Sequence, residues 1–345
     1  GGEQLDPPIK SLFVYNSDIA NCTPNSGNVR KGMSKDDIFI AVHDTFWTDS
    51  CMYADIVLPA DTALERTDCH WAYGSWYLGI NKPVIEPQGE SIRNTELFRM
   101  LADKMGYVDS TDNAFTQTDE EIIKDILLEA ENEDGERFNC LTEGINYDDV
   151  VKNGWARAST NSKRRDFLNN GWGTPSGKIE IKCEAITAEY PDVSPFPEYV
   201  PEIKGQYDPS KSKYPIQVLS SASHYFIGDS FQSVPRLQAM QSRPTVEMSV
   251  SDAKERNVKD GDLVRIYNEQ GETYCYAVII DGLLDGVCAT QKQFKGSNTP
   301  NGLNVNNLNS EMLTDFGKSP TFYSVLAEIE KASEEMSNKA IKQGA

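Results

Sequence analysis

The sequence predicts an α/β plus β protein: a parallel α/β layer over roughly residues 11–108, then a closed β-barrel from about 214 onward. Three observations predict it. Between Ser11 and Tyr107, short apolar runs alternate with helical patterns. From Ile216 onward, the apolar runs are short and separated by Gly-rich turns. Between Tyr190 and Pro215 lie six prolines and few apolar pairs, which reads as a linker stiffened by polyproline-like conformations. The expected boundaries are an α/β region over 1–189, a Pro-rich linker over 190–213 and a barrel domain over 214–345.

Each element has its own warrant. Leu12–Tyr15 is a strand, Asn16 to Asn21 a polar turn, and a helical stretch runs on through Lys31. Ile38–Val42 is a buried strand that ends in polar residues. A short helix near Ser50–Tyr53 and a strand Ile56–Leu58, closed by Pro59, follow. Asn94 is expected to cap a periodic helix from Glu96 to Met105, with Leu97, Phe98 and Leu101 on one face. Alternation of this kind builds a parallel, Rossmann-like sheet covered on both faces. Residues 109–170 break the rhythm. Thr118 and Glu121 form a capping box for a helix ending near Ala130, and the rest, including Lys163-Arg164-Arg165, reads as loop or insertion. Gly173 to Gly177 turns into a short strand, Lys178–Lys182. In the barrel, Ile216–Leu219, Leu263–Asn268 and Thr273–Ile280 are strands, the last two joined over Glu269-Gln270-Gly271. Ser251 starts a helix ending near Asn257, and Lys259 to Asp262 turns the chain back. Short strands with Gly-rich turns close most readily into a barrel.

Open α/β sheets bind ligands at the carboxyl ends of their strands, so Asp44 and Thr48 stand where a ligand would sit. The competing reading is a plain strand-to-helix turn in which Asp49 caps the helix.

Composition excludes several classes. The net charge of −20 leaves no phosphate-neutralising stripe, which argues against nucleic acid and against anionic membrane surfaces. No apolar run is long enough to cross a bilayer, and no signal peptide is recognised. The seven cysteines include no Cys-x-x-Cys, and His43, His70 and His224 lack ligand spacing, so no metal is expected on this chain alone. Scattered, odd-numbered cysteines fit reduced thiols and a cytoplasmic setting. The chain opens Gly1-Gly2-Glu3 just before its first core strand, and the expectation is a portion cut from something larger.

Eight motifs in order carry a family resemblance. They are Tyr15 to Asn21, His43 to Asp49, Tyr53 to Pro59 with Leu64-Glu65, and Asn81 to Pro87 with Gly89-Glu90. They continue with Thr174 to Glu180, Ser220 to His224, Val234 to Leu237, and Val258 to Val264. In this order they resemble the C-terminal half of the molybdopterin oxidoreductases of the dimethyl-sulfoxide-reductase superfamily.

The resemblance implies a double-psi type dinucleotide-binding barrel. It also implies a bis-molybdopterin guanine dinucleotide carrying molybdenum or tungsten in the complete enzyme. A 4Fe-4S cluster is implied only where the N-terminal half carries one. The implied partners are that N-terminal half and electron-transfer subunits. Asp44, preceded by His43, matches the guanine-side acidic position, where a carboxylate accepts paired N–H donors. Thr48 lies in the same motif, and Asn16 matches the pterin-side end of the first strand. Arg66 matches a basic position for a phosphate, and Asn94 a polar position beside the nucleotide. Ser220, Ser221, Ser223 and His224 match a hydroxyl-rich loop for pyrophosphate and pterin, and Asn306 and Tyr323 match late positions that close over the pterin. For Arg66 and Asn94 the alternative readings are a surface ion pair and a plain N-cap. The chain departs from the family where Ala72-Tyr73-Gly74-Ser75 replaces a common Ser-Tyr-Gly-His, and where Tyr323 replaces a common lysine. The family's metal ligand lies in its N-terminal half, so no catalytic residue is assigned. The implied function is the cofactor-cradling portion of a two-electron oxidoreductase. The alternative is a stand-alone binding or assembly module of the same fold.

Overall fold

The computed structural model describes residues 5–108, 115–127, 145, 147–157, 171–202, 204–205 and 207–343. The expected helix end at Ala130 and the Lys163-Arg164-Arg165 segment lie outside them. The chain divides into two compact units, residues 1–58 with 200–345, and residues 59–199.

The first unit opens with β1 (Ser11–Tyr15), α1 (Ile19–Cys22), α2 (Ser26–Met33), β2 (Phe39–Asp44) and β3 (Ile56–Pro59). The three strands form one sheet in the order β1-β2-β3, with β1 and β2 parallel and Tyr15 opposite His43. Val14, Ile40 and Val42 pack with Ala20, Met33 and Cys51 in its core. The expected single helix after β1 is two helices, because Thr23-Pro24 breaks the run and Asn25 takes a left-handed conformation. β2 also runs on through His43 and Asp44, placing Asp44 at the strand's last position.

The second unit departs from the parallel expectation. It contains β4 (Asp68–Trp71), β5 (Tyr77–Asn81), α3 (Asn94–Met105), α4 (Asp119–Leu127), α5 (Tyr147–Asn153) and β6 (Trp155–Arg157). These strands form an antiparallel sheet in the order β4-β5-β6. The reason is local: a turn closed by Ser75 N–H to the Ala72 carbonyl joins β4 to β5, whereas a parallel pair needs a crossover of about a dozen residues. Leu78 and Ile80 face Ile123, Leu127, Ile145 and Val150 in its core. The Thr118–Glu121 capping box is present, each residue bonding the other's backbone N–H. Asn94 is a correction: it is the first helical residue, Arg93 takes the cap position, and no side chain caps the helix. Lys178–Lys182 is not a strand either. Thr174 Oγ1 and the Glu180 side chain close hydrogen bonds within the turn, leaving Ile179 and Ile181 exposed, and a helix follows over Glu184–Glu189.

The barrel returns the chain to the first unit. β7 (Ile216–Ser221), β8 (Thr245–Ser249), β9 (Leu263–Tyr267), β10 (Glu272–Ile280), β11 (Val287–Gln291) and β12 (Leu326–Lys331) close in the order β10-β8-β11-β7-β12-β9. β7/β11 and β8/β10 are parallel pairs, and the other neighbours are antiparallel. Closure leaves no exposed sheet edge. Alternate residues point inward, so Ile216, Val218, Val246, Met248, Val264 and Ile266 fill the interior. The helix expected from Ser251 starts at Val250, with the Ser249 hydroxyl accepting the Asp252 N–H as its cap. A C-terminal helix, Glu334–Gln343, was not expected from the sequence.

Candidate functional site

The carboxyl ends of β1 and β2 form one rim. Asn16, directly after β1, has φ of 51°, so the chain leaves the strand through a left-handed turn. Asp44 ends β2, and its Oδ1 accepts the Phe46 N–H at 3.1 Å, which folds the following loop back over the strand end. His43 is fully buried in β2, one residue inside the rim. Thr48 flanks a 3-10 helix, Asp49–Tyr53, with its hydroxyl 3.4 Å from Cys51 Sγ and no side-chain cap of its own. The Asp49 cap of the competing reading is not present: the buried carboxylate of Asp18 takes that part. It accepts from the Asp49 and Ser50 N–H groups and from Ser50 Oγ, at 3.2, 2.9 and 2.6 Å.

Asp49 instead joins the layer to the barrel. Its Oδ2 pairs with Arg30 Nη2 at 3.1 Å and accepts the Ser297 N–H of the barrel. Asn21, with no solvent exposure, is the centre of this seam. Its Nδ2 donates to the Gln293 carbonyl, its Oδ1 accepts from Gly296 N–H and Asn304 Nδ2, and its carbonyl accepts from Asn304 and Asn306. Asn307 Oδ1 takes the Gly27 N–H at 3.0 Å. Gly296 is glycine for a packing reason: a Cβ there would lie 2.5 Å from both Arg30 Nη2 and the Gly302 carbonyl. Asn306, matched by resemblance to a pterin contact, is thus buried, with its amide donor engaged by Asn21.

On the barrel side, Ser220 and Ser221 lie inside β7, not in a loop. Ser220 is buried. Ser221 Oγ donates to the Thr290 carbonyl at 3.4 Å, and Ser223 Oγ to Gln241 Oε1 at 2.6 Å. The hydroxyl hydrogens of Ser221 and Ser223 are therefore already engaged. His224 is exposed and meets Tyr225 edge-on at 4.8 Å. Tyr323 is exposed, and its carbonyl accepts from Gln217. Because β7 and β11 are parallel, Ser221 ends beside Gln291, and Lys292 N–H bonds the Ser221 carbonyl. The next residue, Gln293, meets Asn21 of the seam through its carbonyl.

In the second unit, Arg66 is held between Asp61 and Asp68 at 2.8 and 3.1 Å, so its charge is already balanced there. Asn94 Oδ1 is buried with no hydrogen-bond partner, an acceptor left open.

The rim is strongly acidic. Burial raises the Asp18 carboxyl above its ordinary range, with the Asp49 charge adding to the rise. Burial likewise raises Asp229, helped by the charges of Asp44 and Asp49, while a hydrogen bond from the Cys22 thiol opposes the rise. Burial first, then Asp229 and Asp18, push Cys22 well up, so this thiol is protonated at neutral pH. Such a set of acceptors fits a group that presents N–H donors, as a guanine edge does, better than it fits a phosphate. Lys295 reaches the Asp44 loop: its ammonium donates to the Trp47 carbonyl at 2.9 Å and to Ser233 Oγ at 3.5 Å. Arg30, Asp229 and Lys295 escaped the sequence reading, and Asp18 and Asn21 entered it only within the Tyr15 to Asn21 motif, with no role assigned. One signal was available: the amides Asn298, Asn301, Asn304, Asn306, Asn307 and Asn309 crowd a short stretch, and the Pro300-Asn301-Gly302 turn accounts for only one of them. Among the described residues, no group of three His, Cys, Asp or Glu side chains is placed to hold a metal. No helix among them is long and apolar enough to cross a membrane.

Comparison with known proteins places these features in context. Residues 4–104 match the family model "Molybdopterin oxidoreductase", and residues 216–326 match "Molydopterin dinucleotide binding domain". Probable oxidoreductase YoaE of Bacillus subtilis (strain 168) is 33% identical over 329 residues, which is 95% of this chain and 45% of that protein. Dimethyl sulfoxide reductase DmsA of Escherichia coli (strain K12) is 28% identical, covering 84% of this chain and 37% of its own length. Trimethylamine-N-oxide reductase of Haemophilus influenzae is 27% identical, covering 84% and 36%. The chain thus spans less than half the length of the curated relatives it matches. The solved structure of acetylene hydratase from Pelobacter acetylenicus superposes with a TM-score of 0.74 at 19% identity, over 94% of this chain and 44% of that one, which shows a shared fold.

Proposed function

We propose, because this chain belongs to the molybdopterin oxidoreductases of the dimethyl-sulfoxide-reductase superfamily, that it is the C-terminal, cofactor-cradling portion of a molybdenum or tungsten bis-pterin enzyme. The whole enzyme would carry out two-electron redox of a small substrate, the class to which relatives named for dimethyl sulfoxide and trimethylamine N-oxide belong. In this reading the barrel is of the double-psi type and the layer Rossmann-like. The metal-bound pterin supplies the electron chemistry when present. This chain's residues bind and orient its nucleotide end, and none of them is assigned a catalytic role.

The observation that carries the reading is Asp44, at the carboxyl end of a parallel strand, with an acidic rim about it. Its Oδ1 is partly engaged by Phe46, which fixes the carboxylate's direction and leaves acceptor capacity for a guanine edge.

The test is base selectivity. Guanosine presents an exocyclic amine that inosine lacks, so the chain should bind guanosine more tightly, and Asp44→Ala should erase the difference. The loss expected for a charge-assisted hydrogen bond is about 1.5–3 kcal/mol. Equal binding of guanosine and inosine by the unaltered protein would remove the guanine assignment. Stoichiometric metal with turnover of sulfoxides or N-oxides by the 345-residue chain alone would overturn its reading as a portion of the catalytic unit.

A further inference from the structure

We infer that Lys295 is a diphosphate-binding residue, and that its ammonium receives the phosphates of the nucleotide whose base meets Asp44. The inference rests on the guanine-side reading above for the identity of the base, and on separate observations for the anion.

First, Lys295 is a built position. Its backbone N–H is fixed by Oε1 of Gln232 at 2.6 Å, and Gln232 is buried, with its own amide donating to the Gly228 and Gln293 carbonyls. Second, its ammonium reaches both parts of the first unit, donating to the Trp47 carbonyl of the layer and to Ser233 Oγ of the barrel. An ammonium has three donors, and these two neutral acceptors leave one open. Third, its charge is unspent. In a chain with a net charge of −20, no carboxylate among the described residues lies within ion-pair distance of it, whereas Arg30 beside it is paired with Asp49. Ordering a lysine side chain costs rotamer entropy, and here no ion pair offsets that cost.

The neighbouring hydroxyls do not compete for the phosphates, because Ser221 and Ser223 already donate within the barrel. Spacing is compatible as well. Asp44 and Trp47 are three residues apart, at most about 11 Å of chain, so one nucleotide can span from the carboxylate to the ammonium. The acidic rim explains why the site would prefer a nucleotide to a free anion: Asp44 and Asp229 weaken the binding of pyrophosphate without abolishing it, and accept a base that brings N–H donors.

The experiment is a titration of the 345-residue chain with guanosine, GDP and pyrophosphate, followed by amide chemical shifts. GDP should bind on the order of tenfold more tightly than guanosine, the gain from one charge-assisted contact. Lys295→Met should bring that ratio close to one by lowering GDP affinity, and Lys295→Arg should restore it. An unchanged ratio in Lys295→Met, or an equal loss for guanosine and GDP, overturns the assignment. Should Lys295→Met fail to fold, the ratio in the unaltered protein is measured against salt. A charged contact makes it fall with ionic strength, and a salt-independent ratio counts against the inference. If guanosine and GDP both fail to bind, the guanine reading falls and pyrophosphate decides the rest. A pyrophosphate response that Lys295→Met abolishes retains Lys295 as an anion site, and no response removes it.

Discussion

The two units hold themselves together with different chemistry. In the first, the layer meets the barrel through buried neutral amides, Asn21, Asn304, Asn306 and Asn307, with one largely buried ion pair, Arg30–Asp49. In the second, the ion pairs are arginine–carboxylate contacts whose arginines keep some exposure, Arg66 with Asp61 and Asp68, and Arg93 and Arg99 with Asp119, beside the Asn81 amide that donates to the Ala63 and Arg66 carbonyls. The difference teaches where precision is needed. Amide hydrogen bonds are directional and insensitive to salt, so they hold the strand ends and loops at the rim in a fixed arrangement. Ion pairs whose arginines keep some solvent exposure are screened by salt more than a buried amide network is. The unit that carries Asp44 and Lys295 is the one built with fixed geometry.

That comparison can be broken by mutation. Arg30→Ala leaves Asp49 buried without its cation and should cost about 3–5 kcal/mol. Calorimetry should then show layer and barrel losing their common transition, while a single unchanged transition would mean the seam is not what couples them. Asn304→Ala strands the Phe294 carbonyl and the Asn306 N–H, both bonded to it now. Denaturant unfolding should register about 2–3 kcal/mol. In the second unit, Thr118→Ala removes the capping box and should cost about 1 kcal/mol. Its effect should appear as faster amide exchange over 119–127 and leave the first unit's exchange unaltered. The mildest effect is electrostatic. Asp229 has a raised folded pKa, so the native state keeps its proton to higher pH than the unfolded chain does. The penalty for charging it is absent below the unfolded pKa and builds as pH rises toward the folded value. Asp229→Asn should therefore stabilise the protein at neutral pH, with the gain fading toward about pH 4. A gain independent of pH would show that its charge is not the cause.

Much of this was legible in the residues, for physical reasons that also mark the limits. The parallel β1/β2 pair and three of the barrel strands, β7, β9 and β10, follow from short apolar runs bounded by turn residues, whereas β8, β11 and β12 were not read. The β4–β5 hairpin was hidden because Ala72-Tyr73-Gly74-Ser75 reads as a family motif before it reads as a turn. Lys178–Lys182 looked like a strand by alternation of Ile179 and Ile181, yet both are exposed because the adjacent turn absorbs the local hydrogen bonds. At the site, Asp44 announced itself by ending a strand. Asn21, Asn304 and Lys295 did not, because their partners lie more than about two hundred residues away and no local pattern encodes such pairs.

The central claim, that one rim built by layer and barrel receives the nucleotide end of the cofactor, is tested most directly by hydrogen–deuterium exchange. The protein is compared with and without saturating GDP. Protection confined to 44–50, 229–233 and 291–297 in the first unit is the predicted result. Binding of GDP with no added protection in those three segments would contradict it.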